Sequence, residues 1–171
     1  MSTTTTTLPT GTWVLDPSTT ITVTATKLGF LKVPATLALT SGTVEIDDQH
    51  QVTGVSVTAD AGSYASPNDK RNEHVRSADF LAADDHPTIR FEAGTCRPSG
   101  SGYTADGSAT VKGTTTPLAV TISDVTVTDG TASFTATATI DRTAVGVDKM
   151  PSFIIGRQLD LVVNASATRQ A

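Results

Sequence analysis

Aromatic side chains are scarce in this sequence: 5% of its 171 residues, with a single tryptophan, Trp13, and two tyrosines, Tyr64 and Tyr103. Those three do not cluster, which argues against the exposed aromatic platform of a sugar-binding surface. Cysteine occurs once, at Cys96, so an intrachain disulfide and a thiolate metal cluster are both excluded. The three histidines, His50, His74 and His86, show no metal-ligand spacing, and no cofactor is called for. Charged residues make up only 17% and the net charge is −5, which leaves no basic footprint for nucleic acid or an anionic membrane. No apolar run is long enough to cross a bilayer, so no integral membrane segment is expected. The first residues lack the basic start and apolar core of a secretory signal. Residues 1–10 therefore read as a disordered Thr-rich tail on a cytoplasmic protein, and residues 11–171 as one domain.

What the chain has instead is threonine and alternation. Ile21, Val23 and Ala25 alternate with threonines, and Ala132, Phe134, Ala136, Ala138 and Ile140 do the same further on. Period-2 alternation marks a strand with one buried and one wet face. Val55-Val57-Ala59, Ile89-Phe91-Ala93 and Leu159-Leu161-Val163-Ala165 supply more such faces when every second residue is taken. Leu118, Val120 and Ile122 lie on even positions and Val125 and Val127 on odd ones, so a bulge is expected at Ser123-Asp124. Asp129-Gly130 is the strongest hairpin signal. About eight strands, one domain and no repeat predict an all-β fold, a barrel or a sandwich. One stretch breaks the pattern. Residues 66–83 are polar and charged, with Ser66-Pro67 as a helix start and a thin apolar stripe of Val75, Ala78 and Phe80. A helix so polar is expected to cover one end of the fold.

Catalytic signals are weak. No G-x-S-x-G nucleophile motif is present, and Gly100-x-Gly102 lies in a Ser-rich hairpin rather than a phosphate cradle. His74 reads as a helix-positioning residue, and Arg142 either pairs locally with Asp141 or lies at a cavity mouth. The candidate inward positions are rich in alanine: Ala25, Ala59, Ala93, Ala109, Ala136, Ala138 and Ala165. With so few large side chains, an eight-stranded barrel is either flattened and filled or left with an apolar cavity.

Four stretches, taken in order, resemble the YceI-like family of bacterial proteins. They are Trp13-Val14-Leu15-Asp16-Pro17-Ser18, then Asn68 to Phe80 continuing to Phe91, then Gly107 to Leu118, and finally Ile140 to Val147. Three positions depart from the family pattern: Pro17-Ser18 where His-Ser is usual, Asn72 where Asp is usual, and Ala35-Thr36-Leu37 where Gly-x-Phe is common. The resemblance implies an extended lipocalin-like antiparallel barrel of about eight strands with one short inserted helix. It also implies non-enzymatic binding, transport or storage of an amphiphilic isoprenoid-type lipid, such as a polyprenyl chain or isoprenoid quinone. On that reading the apolar lining comprises Val23, Leu37, Leu39, Val55, Val57, Phe80, Ile89, Phe91, Leu118, Val120, Phe134, Ala136, Ala138 and Leu161. Arg71, His74 and Arg142 would form a polar mouth. The oligomeric state stays open between monomer and homodimer. A β-sandwich sugar- or protein-binding module and a lipid-processing enzyme are the alternatives.

Overall fold

A computed structural model describes residues 9–66, 69–77, 83–99, 102–145, 156 and 158–170. The strands are β1 (Gly11–Leu15), β2 (Thr20–Lys27), β3 (Leu31–Ile46), β4 (Val52–Ala65), β5 (Thr88–Ser99), β6 (Gly102–Val111), β7 (Thr114–Thr128), β8 (Thr131–Asp141) and β9 (Gln158–Arg169). A helix, α1 (Asp69–Arg76), follows β4, and a single 3-10 turn (Arg142–Val145) follows β8. Every strand pairing is antiparallel, and each strand from β3 to β9 pairs with the next in sequence.

The ring closes through a divided stave. β1 pairs with β3 from Gly11↔Ile46 to Val14↔Thr43 and with β9 from Trp13↔Arg169 to Leu15↔Ala167. β2 pairs with the same two strands, at Ile21↔Leu37 and Thr20↔Asn164. The two segments thus lie end to end as one stave, and nine strands make an eight-stave closed barrel. The break follows from Pro17, which has no N–H to give a ladder. Its neighbours stitch the gap to β9. Asp16 N donates to Ser166 O at 2.6 Å, and the Asp16 carboxylate accepts from Ser166 Oγ and Thr168 Oγ1, each at 3.1 Å. Thr19, itself buried, donates from Oγ1 to Ser166 O and accepts from Ser166 N.

Local irregularities keep the apolar faces turned inward. The register of β7 on β8 shifts between Ser123 and Thr126, with Asp124 at φ 56°, so Ile122 and Val125 both face the interior despite their parity. Asp129 and Gly130, at φ 47° and 80°, form the two-residue turn between Thr128 and Thr131. Lys112-Gly113 adopts the same conformation between Val111 and Thr114, although neither Asn nor Asp announces it.

Two apolar clusters line the interior of the barrel, one towards each end. Trp13, Leu15, Ile46, Val52, Ala165 and Ala167 pack together at the end holding the β7–β8 turn. Ala109, Val111, Leu118, Ile140 and Val145 pack at the opposite end, where α1 follows β4.

The described part of the helical stretch is Asp69–Arg76, and polar bonds tie it to the chain before it. Buried Asn72 accepts from Ser66 N and Ser66 Oγ, both at 2.7 Å, and donates from Nδ2 to Ser66 O at 3.0 Å. Arg76 donates from Nε and Nη2 to the Tyr64 carbonyl at 3.0 and 2.6 Å. The helix is thereby tied to the end of β4 and to Ser66 just beyond it. Of the expected stripe, Val75 is half-buried, while Ala78 and Phe80 lie outside the described residues.

Candidate ligand-binding cavity

Barrel closure leaves an internal cavity of about 610 Å³. Its size falls in the range of small-molecule and cofactor sites. The alanines explain why the space exists. Ala25, Ala59, Ala109, Ala136 and Ala138 line it, joined by Ala105, Ala132 and Ala167, and at each a single methyl stands where Leu or Phe would reach the axis. Ala93 and Ala165 do not border it, and Ala165 belongs to the cluster around Trp13.

Most of the residues expected from sequence as apolar lining do border this space: Val23, Leu37, Val55, Val57, Ile89, Phe91, Leu118, Val120, Phe134, Ala136, Ala138 and Leu161. Leu39 is a correction. Register shifts on either side of it, between Thr36 and Ala38 and between Leu39 and Ser41, pack it against the Trp13 cluster instead. Phe80 and the side chain of His74 lie outside the described residues.

Formal charge at the cavity is of one sign. Lys27, Lys70, Arg71, Arg90 and Arg142 border the cavity, and among the described residues no carboxylate does. This holds in a chain of net charge −5. Arg90, exposed like Lys70, pairs with Glu92 at 3.5 Å. Lys27 ends β2, Lys70 and Arg71 stand on α1, and Arg142 opens the 3-10 turn after β8, so these four gather at the helix end. Arg142 is 2% exposed and donates from Nε to Gly156 O at 3.0 Å. Beside it, the Asp141 carboxylate accepts from Thr143 N and Oγ1 at 2.9 and 2.6 Å. Tyr64 also borders the cavity, and burial raises its phenol pKa, opposed in part by the charge of Arg71. Among the described residues no group of His, Cys, Asp and Glu could hold a metal ion.

Cys96 is a built-in reporter that alternation alone does not place. A register shift between Ala93 and Cys96 turns its thiol to the cavity, and burial pushes its pKa up to about 11. The reactive species is the thiolate. Alkylation by iodoacetamide at pH 8, followed by mass spectrometry, is therefore expected to run about a hundredfold slower than in the unfolded chain. A rate equal to that of the unfolded chain would place the thiol outside the barrel. The same shift bears on stability. The unfolded thiol ionises first, so its contribution is present below the ordinary thiol range and is lost as pH rises towards 11. Cys96→Ala should flatten that alkaline decline.

Residues 13–167 match the YceI-like domain family. A UPF0312 protein of Ectopseudomonas mendocina is 40% identical over 68 residues, covering 39% of this chain and 35% of that protein. One from Serratia proteamaculans is 33% identical over 64 residues, covering 37% of this chain and 33% of that protein. These matches thus span about a third of the curated relatives' length. Among solved structures, BcnA of Burkholderia cenocepacia superposes with a TM-score of 0.79 at 19% identity, over 90% of this chain and 99% of that one. A polyisoprenoid-binding domain from Saccharophagus degradans, implicated in plant cell wall breakdown, gives 0.69 at 13% identity, over 92% and 98%. At such identities the likeness shows the fold.

Proposed function

Because the chain belongs to the YceI-like domain family, we propose that it binds one amphiphilic isoprenoid-type lipid, tail inside the barrel and head group at the helix end, for transport or storage without chemical change. The observation that carries this reading is the cavity itself: apolar along its length, with Lys27, Lys70, Arg71 and Arg142 at one end. Cations there suit a head group with acceptor oxygens, such as a phosphate or a quinone carbonyl, because charge-assisted hydrogen bonds are stronger than neutral ones. The structural similarity to a polyisoprenoid-binding domain supports the same ligand class.

Magnitudes divide the work between tail and head. Each buried CH₂ gains about 0.8 kcal/mol, so one five-carbon unit offers roughly 3–4 kcal/mol gross. A long prenyl chain would soon pass the practical ceiling of about 18–21 kcal/mol for non-covalent binding, and ordering costs offset much of the gain. The tail therefore supplies affinity with little discrimination, and the head group supplies selectivity. Removing one charge-assisted contact costs about 1.5–3 kcal/mol. Arg71→Ala is accordingly expected to weaken a prenyl phosphate probe by about tenfold or more, about 1.4 kcal/mol per tenfold, and to leave a prenyl hydrocarbon unaffected. Equal losses for both probes would assign Arg71 a structural role only.

The deciding experiment is native mass spectrometry of freshly purified protein, followed by organic extraction and identification of the released molecule. A lipid in the extract is the expected result. An empty protein that also fails to take up prenyl and acyl probes would overturn the reading. Turnover of the recovered lipid by the purified protein would replace binding with catalysis.

A further inference from the structure

Hairpin tips in soluble proteins are normally polar; the β2–β3 tip is not. It reads Lys27-Leu28-Gly29-Phe30-Leu31-Lys32. Among the described residues, Leu28, Phe30 and Leu31 are the large hydrophobic side chains left exposed, at 50%, 73% and 44%. Leu28 also sits at φ 53°, a left-handed conformation in which Asn, Asp or Gly is the usual choice. Among the described residues Leu28 makes no part of either core cluster. Among the described residues, Gly156 touches the base of the tip, where its N donates to Thr26 O at 2.8 Å, and the sheet pairing around the tip is local. Pairing of β4 with β3 begins at Thr36, and pairing of β9 with β2 ends at Thr24, so Ala25 to Lys27 pair only with Leu31 to Val33.

Position and charge indicate what these side chains meet. Lys27 is both the base of the tip and part of the cavity lining, so the hairpin projects from the cationic end of the cavity. Lys32 flanks the other side and is exposed. No acid occurs between Thr20 and Thr43. The acidic residues described at this end, Asp69 and Glu73 on α1, Asp84 and Asp85 before β5, Asp141 on β8 and Asp160 opposite Thr24 on β9, all lie outside the hairpin itself. Apolar side chains flanked by lysines suit the boundary between lipid head groups and acyl chains. The negative net charge of the chain conceals this local pattern.

We propose that the β2–β3 hairpin docks on an anionic bilayer, with Leu28, Phe30 and Leu31 entering the interface and Lys27 and Lys32 pairing with lipid phosphates. Docking there turns the cationic end of the cavity towards the membrane. The inference goes beyond ligand binding in the cavity and does not depend on it.

The test is cosedimentation with vesicles of phosphatidylcholine alone and of phosphatidylcholine mixed with phosphatidylglycerol. The wild-type protein is expected to pellet with the mixed vesicles, and less so as salt is added. The L28S/F30S/L31S variant should lose at least tenfold in partitioning while keeping its melting temperature. Phe30→Trp supplies a gain of signal that survives any loss of yield in the triple variant: its emission should shift to the blue on mixed vesicles. Lys32→Glu should weaken the partitioning of the otherwise unaltered protein. Cavity binding is scored separately, because Ala136→Phe should leave vesicle association unchanged and the triple variant should still bind a prenyl probe in detergent. Absence of wild-type protein from both pellets, or an unaltered triple variant, overturns the proposal. Loss of a solution dimer in the triple variant, with no vesicle binding by wild type, would assign the tip to a second copy of the chain instead.

Discussion

Replacing Ala136 with phenylalanine is expected to lower affinity for a prenyl or acyl probe at least tenfold, about 1.4 kcal/mol, with the fold intact. Ala136 lies on β8 between Ile122 of β7 and Val163 of β9, and it borders the cavity together with both neighbours. Successive side chains of a strand point to opposite faces, so a benzyl group at this position enters the 610 Å³ space. It occupies volume that a tail would need, in a space bordered by Ala136 itself. Stability should therefore hold within about 1 kcal/mol, whereas overfilling a packed core costs about 1–3 kcal/mol. Ser133→Phe is the control. It lies on the exposed face of the same strand and should leave probe binding alone. Isothermal titration and thermal melts separate the outcomes. A destabilised Ala136→Phe protein would mean that side chains already fill the barrel.

The largest effect on stability is expected at Trp13. Its ring is 3% exposed, sits within the cluster of Leu15, Ile46, Val52, Ala165 and Ala167, and donates from Nε1 to Pro9 O at 3.1 Å. It also stands on the half-stave that joins β3 to β9, so ring closure and core packing depend on the same residue. Trp13→Ala should cost about 3–5 kcal/mol. Trp13→Phe, which keeps most of the apolar surface but loses the hydrogen bond, should cost about 1–2 kcal/mol. Urea titration followed by circular dichroism measures both. A cost below about 1 kcal/mol for the alanine variant would show that closure does not depend on this ring.

The alternating stretches were legible because each buries one face over several residues. The bulge at Ser123-Asp124 was legible too, since an apolar face that changes parity must bulge to stay buried. Bulges without that signature were not. The shift between Ala93 and Cys96 turns a lone cysteine inward, and the shifts flanking Leu39 turn an apparent lining residue into the Trp13 cluster. The division of the first stave was hidden in Asp16-Pro17-Ser18, which reads as a turn unless its bonds to Ser166 and Thr168 are known. Asn72 and Arg76 likewise anchor α1 through backbone groups of β4, and no periodicity marks such bonds. Of the residues that border the cavity, part of the apolar lining, such as Val23, Leu37, Phe91 and Phe134, was expected from sequence, as were the two cations Arg71 and Arg142. Trp13, Val33, Val44 and Val145 were not. Nor were Lys27 and Lys70, because their role depends on which strand and helix ends converge.

Closure through that divided stave also sets the order of events when the protein is made. β2 can pair with β3 as soon as both have emerged, but its other edge waits for β9, which begins at Gln158. At about 5–20 residues per second the ribosome needs on the order of ten seconds to bridge that interval. Until then the strands form an open sheet whose edges and future interior face water, a state prone to pair with other chains. The cavity has no existence until β9 has emerged. A ligand can only be captured after β9 has joined the sheet, and a nascent chain stalled before β9 would be a substrate for chaperones rather than a closed barrel.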